Sequence, residues 1–284
     1  MTLDDLGAAI EALLVEKNLR HMEDLRSALP SGYYLRAAEH LHDARRVIIG
    51  TGFPVGETFE TDGPVGAFAL YNALTARGAE CHLACASPLA DTLGNDYRLL
   101  RLAAFDVESG KKEAADALGR LKPDCVVSIE RPGLAEDDCY YNMRGEDISA
   151  RSAVFDYYLK LADCPTVAIG DGGNEIGMGN AKEAVEKLAI RGAATPCDEL
   201  LIADVSNWGA YGLIAMLDAM DQTDLLNGVD HLALLTYLSE RDSVDGVTRE
   251  NTLTEDGLPA TAGQEILDEL AALLARFRSS DEQA

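Results

Sequence analysis

The feature that most constrains the fold is an alternation of short apolar runs with longer segments of helical periodicity. Between residues 45 and 205 the apolar runs are "RRVIIG", "ECHLAC", "DCVVSI", "PTVAIG" and "ELLIADV". Helix-patterned segments separate these runs, and strands that alternate with helices are typical of βαβ units in a parallel sheet. Because helices then cover both faces of the sheet, the sequence predicts an α/β protein. We expect a mostly parallel sheet in a Rossmann-like three-layer αβα fold.

The predicted elements fit a single domain over residues 1–284, because no repeat, low-complexity stretch or linker divides the chain. We assign N-terminal helices to 1–44, a βα core to 45–221 and a C-terminal appendage to 222–284. Helices are predicted at 3–16, 33–43, 64–78, 88–104, 109–121, 149–162, 180–192, 209–221, 230–240 and 262–278.

The formal net charge of −25 restricts the classes of partner. Nucleic acids and anionic membranes are excluded by repulsion, so we expect a small-molecule substrate. Acidic residues spread along the whole chain suit a high-salt cytoplasm, which predicts a halophilic host; the alternative is an ordinary acidic enzyme. No apolar run reaches the ~18 residues of a membrane span. The acidic, amphipathic N-terminus is unlike a targeting peptide, so a cytoplasmic location is expected. The sequence is compatible with a homo-oligomer and does not determine the oligomeric state.

Four chemically distinctive segments each begin where a predicted strand ends: 50–64, 130–145, 170–180 and 206–212. The carboxyl ends of parallel strands share one edge of the sheet. Ligands bind at this edge in open α/β sheets, beside the point where the strand order reverses. The sequence therefore predicts that these segments converge on one site.

The segment 170–180, "GDGGNEIGMGN", has the most candidate functional residues. Gly172 and Gly173 permit a positive φ or a close backbone approach. Asp171 and Glu175 flank Asn174, and carboxylates beside an amide suit a divalent cation, an amine or acid–base catalysis rather than phosphate. A turn with a helix cap would explain one Asp and some glycines, but it explains Glu175 poorly.

The first segment has glycines spaced GxGxxxG, which departs from the dinucleotide-binding fingerprint. It offers Glu60, Thr61 and Asp62 ahead of a helix. Asp62 is a candidate metal ligand, and its alternative role is to cap that helix.

The second and fourth segments supply further candidates. Glu130 and Arg131 follow a buried-looking strand, as either a structural ion pair or a substrate clamp. Asn142 is a weaker candidate for the lining of a pocket. Asn207 can donate and accept hydrogen bonds without charge, as an oxyanion or amine site requires. Trp208 is a candidate substrate contact, and core packing is its alternative.

Together these segments resemble the D-glutamate cyclase family. The matching stretches are "GFP", "ETDGPVGA", "ERPG", "YYNMRG", "GDGGNEIGMG", "CDELLIADVSNWGAYGL" and "SVDGVTRENTLTEDGLP", from Val47 to Pro259. The resemblance implies a lyase that converts D-glutamate to 5-oxo-D-proline and water. A metal-dependent hydrolase of a lactam or small amide is one alternative, and a non-catalytic amino-acid-binding module is another.

For this reaction we hypothesise roles for each group. Asp171 and Glu175 divide the base and acid roles, or they hold Mg²⁺ or Mn²⁺ with Glu60 or Asp62. Arg131 clamps the α-carboxylate. Glu130 and Asn174 are further catalytic candidates. The substrate-binding candidates, which include groups for the oxyanion, are Asn142, Asn207, Trp208, Thr61 and the N–H groups of Gly172 and Gly173. No cofactor is certain, and a divalent cation is the candidate.

Overall fold

The computed structural model describes residues 1–281, and a six-stranded parallel sheet forms the centre of that part of the chain. The strands are β1 (Arg46–Thr51), β2 (Pro54–Val55), β3 (Thr58–Phe59), β4 (Glu80–Cys85), β5 (Leu99–Arg101), β6 (Cys125–Ile129), β7 (Thr166–Gly170), β8 (Glu199–Ile202), β9 (Thr254–Glu255) and β10 (Leu258–Pro259). The large sheet has the order β5-β4-β1-β6-β7-β8. The pairs β2–β3 and β9–β10 form small antiparallel hairpins.

Helices surround the sheet. They are α1 (Leu3–Leu13), α2 (Met22–Arg26), α3 (Tyr33–His42), α4 (Pro64–Ala76), α5 (Leu89–Thr92), α6 (Val107–Leu121), α7 (Asp156–Lys160), α8 (Lys182–Val185), α9 (Ser206–Asp221), α10 (His231–Ser239) and α11 (Ala260–Asp281). Helix α9 lies at the centre of one layer, where it packs against α1, α3, α4 and α11. Helices α2, α6, α7 and α8 contribute to the opposite layer.

The alternation of side chains along the strands explains these layers. On β1, Val47 and Ile49 join the apolar cluster on the α9 side, whereas Ile48 joins the cluster on the other side. Both faces of a strand that is buried on both sides must be apolar, which is why these strands read as continuous apolar runs. The predicted three-layer α/β fold is confirmed.

Three predicted helices differ most from the structure. In 88–104 only α5 is helical, and Leu99–Arg101 instead forms the edge strand β5 beside β4. Gly94, with φ +56°, interrupts the helical periodicity between them. In 180–192 the α-helix is limited to Lys182–Val185. The segment 149–162 likewise contains a 3₁₀ turn at Ser149–Arg151 and the short α7 rather than one helix.

The C-terminal segment packs onto the βα core. Helix α11 contacts α1, α9 and α10, and the hairpin β9–β10 precedes it. Residues 282–284 of the predicted appendage lie outside the described residues. Among residues 1–281, no helix is long and apolar enough to cross a membrane.

The order of strands reverses direction between β1 and β6. From β1 the chain moves outward through β4 and β5, and then it returns beside β1 to build β6, β7 and β8. Thr51 and Ile129 are register partners at the carboxyl end of this central pair. A crevice at such a reversal is the usual ligand site of an open α/β sheet.

Candidate active site

The distinctive segments do converge at the carboxyl edge of the sheet. Gly63 shows how closely the first two approach: its φ is +89°, and a Cβ there would lie 2.6 Å from the Cβ of Glu130. Only glycine adopts this φ without strain and also leaves room for the Glu130 side chain. The close approach brings the carboxyl groups of the first segment beside those that follow β6 and β7.

A cluster of carboxyl groups, buried except for the partly buried Asp256, forms the centre of this edge. Its members are Glu60, Asp62, Glu130, Asp171, Glu175 and Asp256. One oxygen each of Asp62, Glu130 and Asp171 lies within 4.8 Å of the others. Five of these groups were candidates from the sequence, and the structure brings all five together. Asp256, from the hairpin β9–β10, was missed.

The arginine that serves this cluster is Arg20, which sequence reasoning also missed. Its Nη2 donates to Asp171 Oδ2 and to Asp256 Oδ2, both at 2.6 Å, and its Nε donates to the Asp171 carbonyl at 2.9 Å. Asp204 holds the preceding backbone by accepting N–H bonds from Lys17 and Leu19. The N-terminal segment therefore contributes a charged side chain to the site.

Burial and crowding perturb the carboxyl groups strongly. Burial first, and then neighbouring negative charges, raise the pKa of Glu60 and Glu130 well above the ordinary value. Burial also raises the pKa of Asp171, and the adjacent Arg20 opposes that change. The pKa of Asp62 rises to about 7 for the same reason of burial. Because the cluster gathers more negative charge than Arg20 can balance, it favours bound protons or a bound cation.

The loop after β7 presents two polar groups to the site. Glu175 Oε2 accepts the Gly173 N–H at 2.7 Å, and burial raises the pKa of Glu175 while this hydrogen bond opposes the rise. Asn174 Nδ2 donates to the Tyr141 carbonyl at 2.9 Å. Asn174 Oδ1 is buried and has no hydrogen-bond partner among residues 1–281. It is an acceptor that a ligand N–H group or a cation can satisfy.

This geometry changes the role expected for the glycines. The Gly173 N–H is directed at the Glu175 carboxylate and is therefore not available to an oxyanion. A Cβ on Gly172 would lie 2.7 Å from Glu175 Oε1 and 3.0 Å from Asn174 Oδ1. Gly172 thus leaves room for these two side chains to approach each other.

Arg131 does not reach the carboxyl cluster. Its Nη1 donates to the Thr51 carbonyl at 2.8 Å, and its Nη2 donates to the Ala153 carbonyl at 2.5 Å. The guanidinium also lies over the Phe155 ring. This corrects the expected substrate clamp, because both terminal nitrogens of Arg131 tie backbone segments together beneath the site.

Asn207, Trp208 and Thr61 support the site from behind and do not line the pocket. Asn207 Oδ1 accepts the N–H groups of Gly63 and Gly66, and its Nδ2 donates to Glu255 at 2.7 Å. The Trp208 indole N–H donates to the same carboxylate at 2.7 Å. Thr61 Oγ1 donates to the backbone of the hairpin β9–β10. This corrects the substrate-binding role that we expected of the three residues.

Asp62 caps a helix, although not the one expected. Its carboxylate accepts the N–H groups of Ser206 and Asn207, at the start of α9, at 3.0 and 2.8 Å. It lies ahead of α4 in sequence, but it serves α9 in space. The helix N-terminus favours the ionised form of Asp62, in opposition to its burial.

A pocket of about 460 Å³ opens over the carboxyl cluster. This volume lies in the range of small-molecule sites. Its floor is polar: Arg20, Glu60, Glu130, Asp171, Asn174, Glu175 and Asp256. Its walls and rim include Phe53–Gly56, Asn142–Arg144, Glu146, Arg151, Gly246, Val247 and Arg249. Asn142 lines the rim as expected, where its Oδ1 accepts the N–H groups of Arg144 and Glu146.

The fold and site define an α/β protein with a buried acidic ligand pocket at the strand-order reversal of a parallel sheet. The chain belongs to the D-glutamate cyclase-like family. The family model for its C-terminal part ("D-glutamate cyclase-like, C-terminal") matches residues 10–271. It is 31% identical to the human mitochondrial D-glutamate cyclase, in an alignment that covers 75% of this chain and 41% of that protein. The chain thus spans about two fifths of the length of this relative.

Two solved structures show more distant likeness. An exopolyphosphatase-related protein from Bacteroides fragilis is 10% identical, with a TM-score of 0.43, over 86% of this chain and 57% of that one. A short-chain dehydrogenase from Streptomyces avermitilis is 14% identical, with a TM-score of 0.28, over 85% of this chain and 98% of that one.

Proposed function

We propose that this chain is a lyase that converts D-glutamate to 5-oxo-D-proline and water. The observation that carries the proposal is the buried carboxyl cluster beneath the pocket, with Asn174 Oδ1 left as an unpartnered acceptor beside it. A site of this charge favours a ligand that brings a positive group, such as an α-ammonium. Membership of the D-glutamate cyclase-like family and the name of the human relative support the same reaction.

The chemistry needs proton transfer and positioning. The amine nitrogen forms a C–N bond with the γ-carboxyl carbon, and a C–O bond to that carbon breaks. Two protons leave the ammonium nitrogen and are taken up by the departing oxygen, which becomes water. Atoms and charge balance without an oxidant or reductant. Because the attack is intramolecular, orientation of the substrate supplies much of the rate.

Glu175 is the proposed proton carrier. It lines the pocket, and its Oε2 is fixed by the Gly173 N–H. Burial brings the pKa of Glu175 closer to neutral pH, and a group with such a pKa can both accept and return a proton. It takes the protons from the amine and delivers them to the departing oxygen. Asn174 Oδ1 accepts an N–H of the amine and so holds the nitrogen beside this carboxylate.

Asp62, Glu130 and Asp171 are the proposed ligands of a divalent cation. One oxygen of each lies within 4.8 Å of the others, and oxygens around a Mg²⁺ ion are at most about 4.2 Å apart, so a small movement of the side chains would bring all three onto one ion. Carboxylate oxygens suit Mg²⁺ or Mn²⁺. Such an ion would polarise the γ-carboxyl group of the substrate. Arg20 holds Asp171 in place, and it pairs Asp171 with Asp256.

The decisive test is a product assay by chiral chromatography and mass spectrometry. Purified protein is incubated with D-glutamate, L-glutamate or 5-oxo-D-proline, each with Mg²⁺, Mn²⁺ or EDTA. We expect 5-oxo-D-proline from D-glutamate. Hydrolysis of 5-oxo-D-proline without the forward reaction would favour the hydrolase instead. Thermal stabilisation by D-glutamate without any product would favour a binding module.

A further inference from the structure

Three arginines lie on the rim of the acidic pocket: Arg144, Arg151 and Arg249. They come from two separate parts of the chain, in a sequence where 49 acidic residues face 24 basic ones. We infer that the rim binds the α-carboxylate of the substrate, with Arg144 and Arg151 as the principal contacts. This inference rests on the proposed function and assigns the residues that recognise the end of the substrate that does not react.

The rim arginines have guanidinium N–H groups that are available to a ligand. Within residues 1–281, no ion pair or hydrogen bond holds the side chains of Arg144 and Arg151, although Arg144 is near enough to Glu146 to help lower the pKa of that carboxyl group. Arg249 Nη2 lies 3.5 Å from Glu146 Oε2, and both side chains are about half exposed. A solvent-exposed pair of this kind contributes little free energy. By contrast, Arg20 Nη2 is held by two carboxylates, and both terminal nitrogens of Arg131 are held by backbone carbonyls.

The backbone under these side chains is held in place, although the side chains themselves are exposed. Asn142 Oδ1 accepts the Arg144 N–H at 2.9 Å, which fixes the turn that carries this arginine. The Arg151 N–H donates to the Ile148 carbonyl at 3.0 Å, and the adjacent Ile148 and Ser152 are buried. The two guanidinium groups are therefore attached to defined points of the rim.

The chemistry of the ring closure decides which substrate group meets them. The amine must reach Glu175 and Asn174 Oδ1 on the floor, and the γ-carboxyl carbon must lie next to the amine nitrogen. The α-carboxylate is then the charged group that remains for the rim. Arginine suits this position because its planar fork binds a carboxylate through two parallel hydrogen bonds. Apolar wall residues, Phe53 and Val247, flank the space for the methylene carbons.

The test compares two substrates in single and double variants. Arg144→Gln, Arg151→Gln and the double variant are assayed with D-glutamate and with its α-amide, which keeps the γ-carboxyl group but lacks the α-carboxylate. For the double variant we expect KM for D-glutamate to rise about ten-fold with kcat within about two-fold, because the lost contact is equal in ground and transition states. KM for the α-amide should stay unchanged. Arg45→Gln, an exposed arginine at the opposite edge of the sheet, is the matched control.

The inference is overturned if KM for D-glutamate does not change in the double variant, or if both substrates are affected equally. If the wild-type protein turns over neither substrate, the proposed function fails, and calorimetric titration with D-glutamate decides the inference. Weaker binding in the double variant than in Arg45→Gln supports it. Equal binding in the two variants, or no binding to the wild-type protein, overturns it.

Discussion

Arg20 Nη2 lies 2.6 Å from Asp171 Oδ2, although 151 positions of the chain separate the two residues. The same nitrogen also contacts Asp256 and the Asp204 carbonyl. One guanidinium thus joins the N-terminal segment, the loop after β7 and the C-terminal hairpin. The acidic site therefore forms only when these three distant parts of the chain pack together.

Replacement of Arg20 by Met should destabilise the protein at neutral pH. Removal of one partner from a buried ion pair leaves an uncompensated charge, at a cost of about 3 kcal/mol. As the pH falls, Asp171, whose pKa is raised by burial, can take up a proton, so the difference from the wild-type protein should shrink. Urea unfolding at pH 7.5 and pH 5.5 measures both effects. An equal loss at the two pH values would contradict the assignment, and Arg45→Met is the control.

Substitution of Glu175 by Gln should remove activity and leave the fold intact. Loss of the proton carrier should lower kcat by at least about 10²-fold. A buried carboxyl group with a raised pKa is expensive to ionise, so the neutral amide should leave the melting temperature unchanged or higher. Steady-state assays with thermal unfolding test both statements. Glu57→Gln, an exposed position in the first segment, serves as the control. Near-normal turnover in Glu175→Gln would refute the role.

Much of this site could be predicted because five of its carboxyl groups directly follow, or lie near, a strand end in sequence. Strand periodicity locates strand ends, and a parallel sheet then brings the ends together. Arg20 and Asp256 lie in segments for which the sequence predicts no strand, so only the tertiary fold reveals them. The "TEDG" stretch that contains Asp256 did carry a signal, because it falls within a sequence that resembles the family.

The direction of a side chain was harder to predict than its location. Glu130 has φ +45°, so the regular alternation of the strand ends there. The side chain of Glu130 then reaches the cluster, while that of Arg131 is directed at the carbonyls of Thr51 and Ala153. Sequence alone identified the pair but not which member faces the pocket. For Asn207, likewise, the contact with two N–H groups of another segment depends on packing that no local pattern encodes.

The free energy of unfolding should fall as pH rises through neutrality when divalent ions are removed. Burial raises the pKa of Glu255 to about 8 and that of Asp62 to about 7. Because both values in the folded state exceed those of ordinary carboxyl groups, the folded protein binds more protons. The contribution of each group to the free energy of unfolding is therefore fully present below its pKa in the unfolded chain. That contribution is lost as the pH rises through its pKa in the folded protein. The slope is about 1.4 kcal/mol per pH unit for each such proton.

Urea unfolding between pH 5 and pH 9 in EDTA measures this decline. In Glu255→Gln the part of the decline near pH 8 should disappear, because the amide does not ionise. The variant also leaves one of the donors, Trp208 or Asn207, with a poorer partner, so its stability at low pH should be lower. Glu57→Gln should follow the wild-type slope. A Glu255→Gln profile parallel to the wild type would contradict the pKa assignment.

Divalent cations should stabilise the protein through Asp62, Glu130 and Asp171. An ion that binds only the folded state adds about 2.7 kcal/mol at one hundred times its dissociation constant. Addition of Mn²⁺ or Mg²⁺ to EDTA-treated protein should therefore raise the melting temperature and reduce the pH-dependent decline. Both effects should be lost in Asp62→Asn and Asp171→Asn but kept in Glu57→Gln. An equal response in all four proteins would show that the ions act at the acidic surface instead of at these three carboxyl groups.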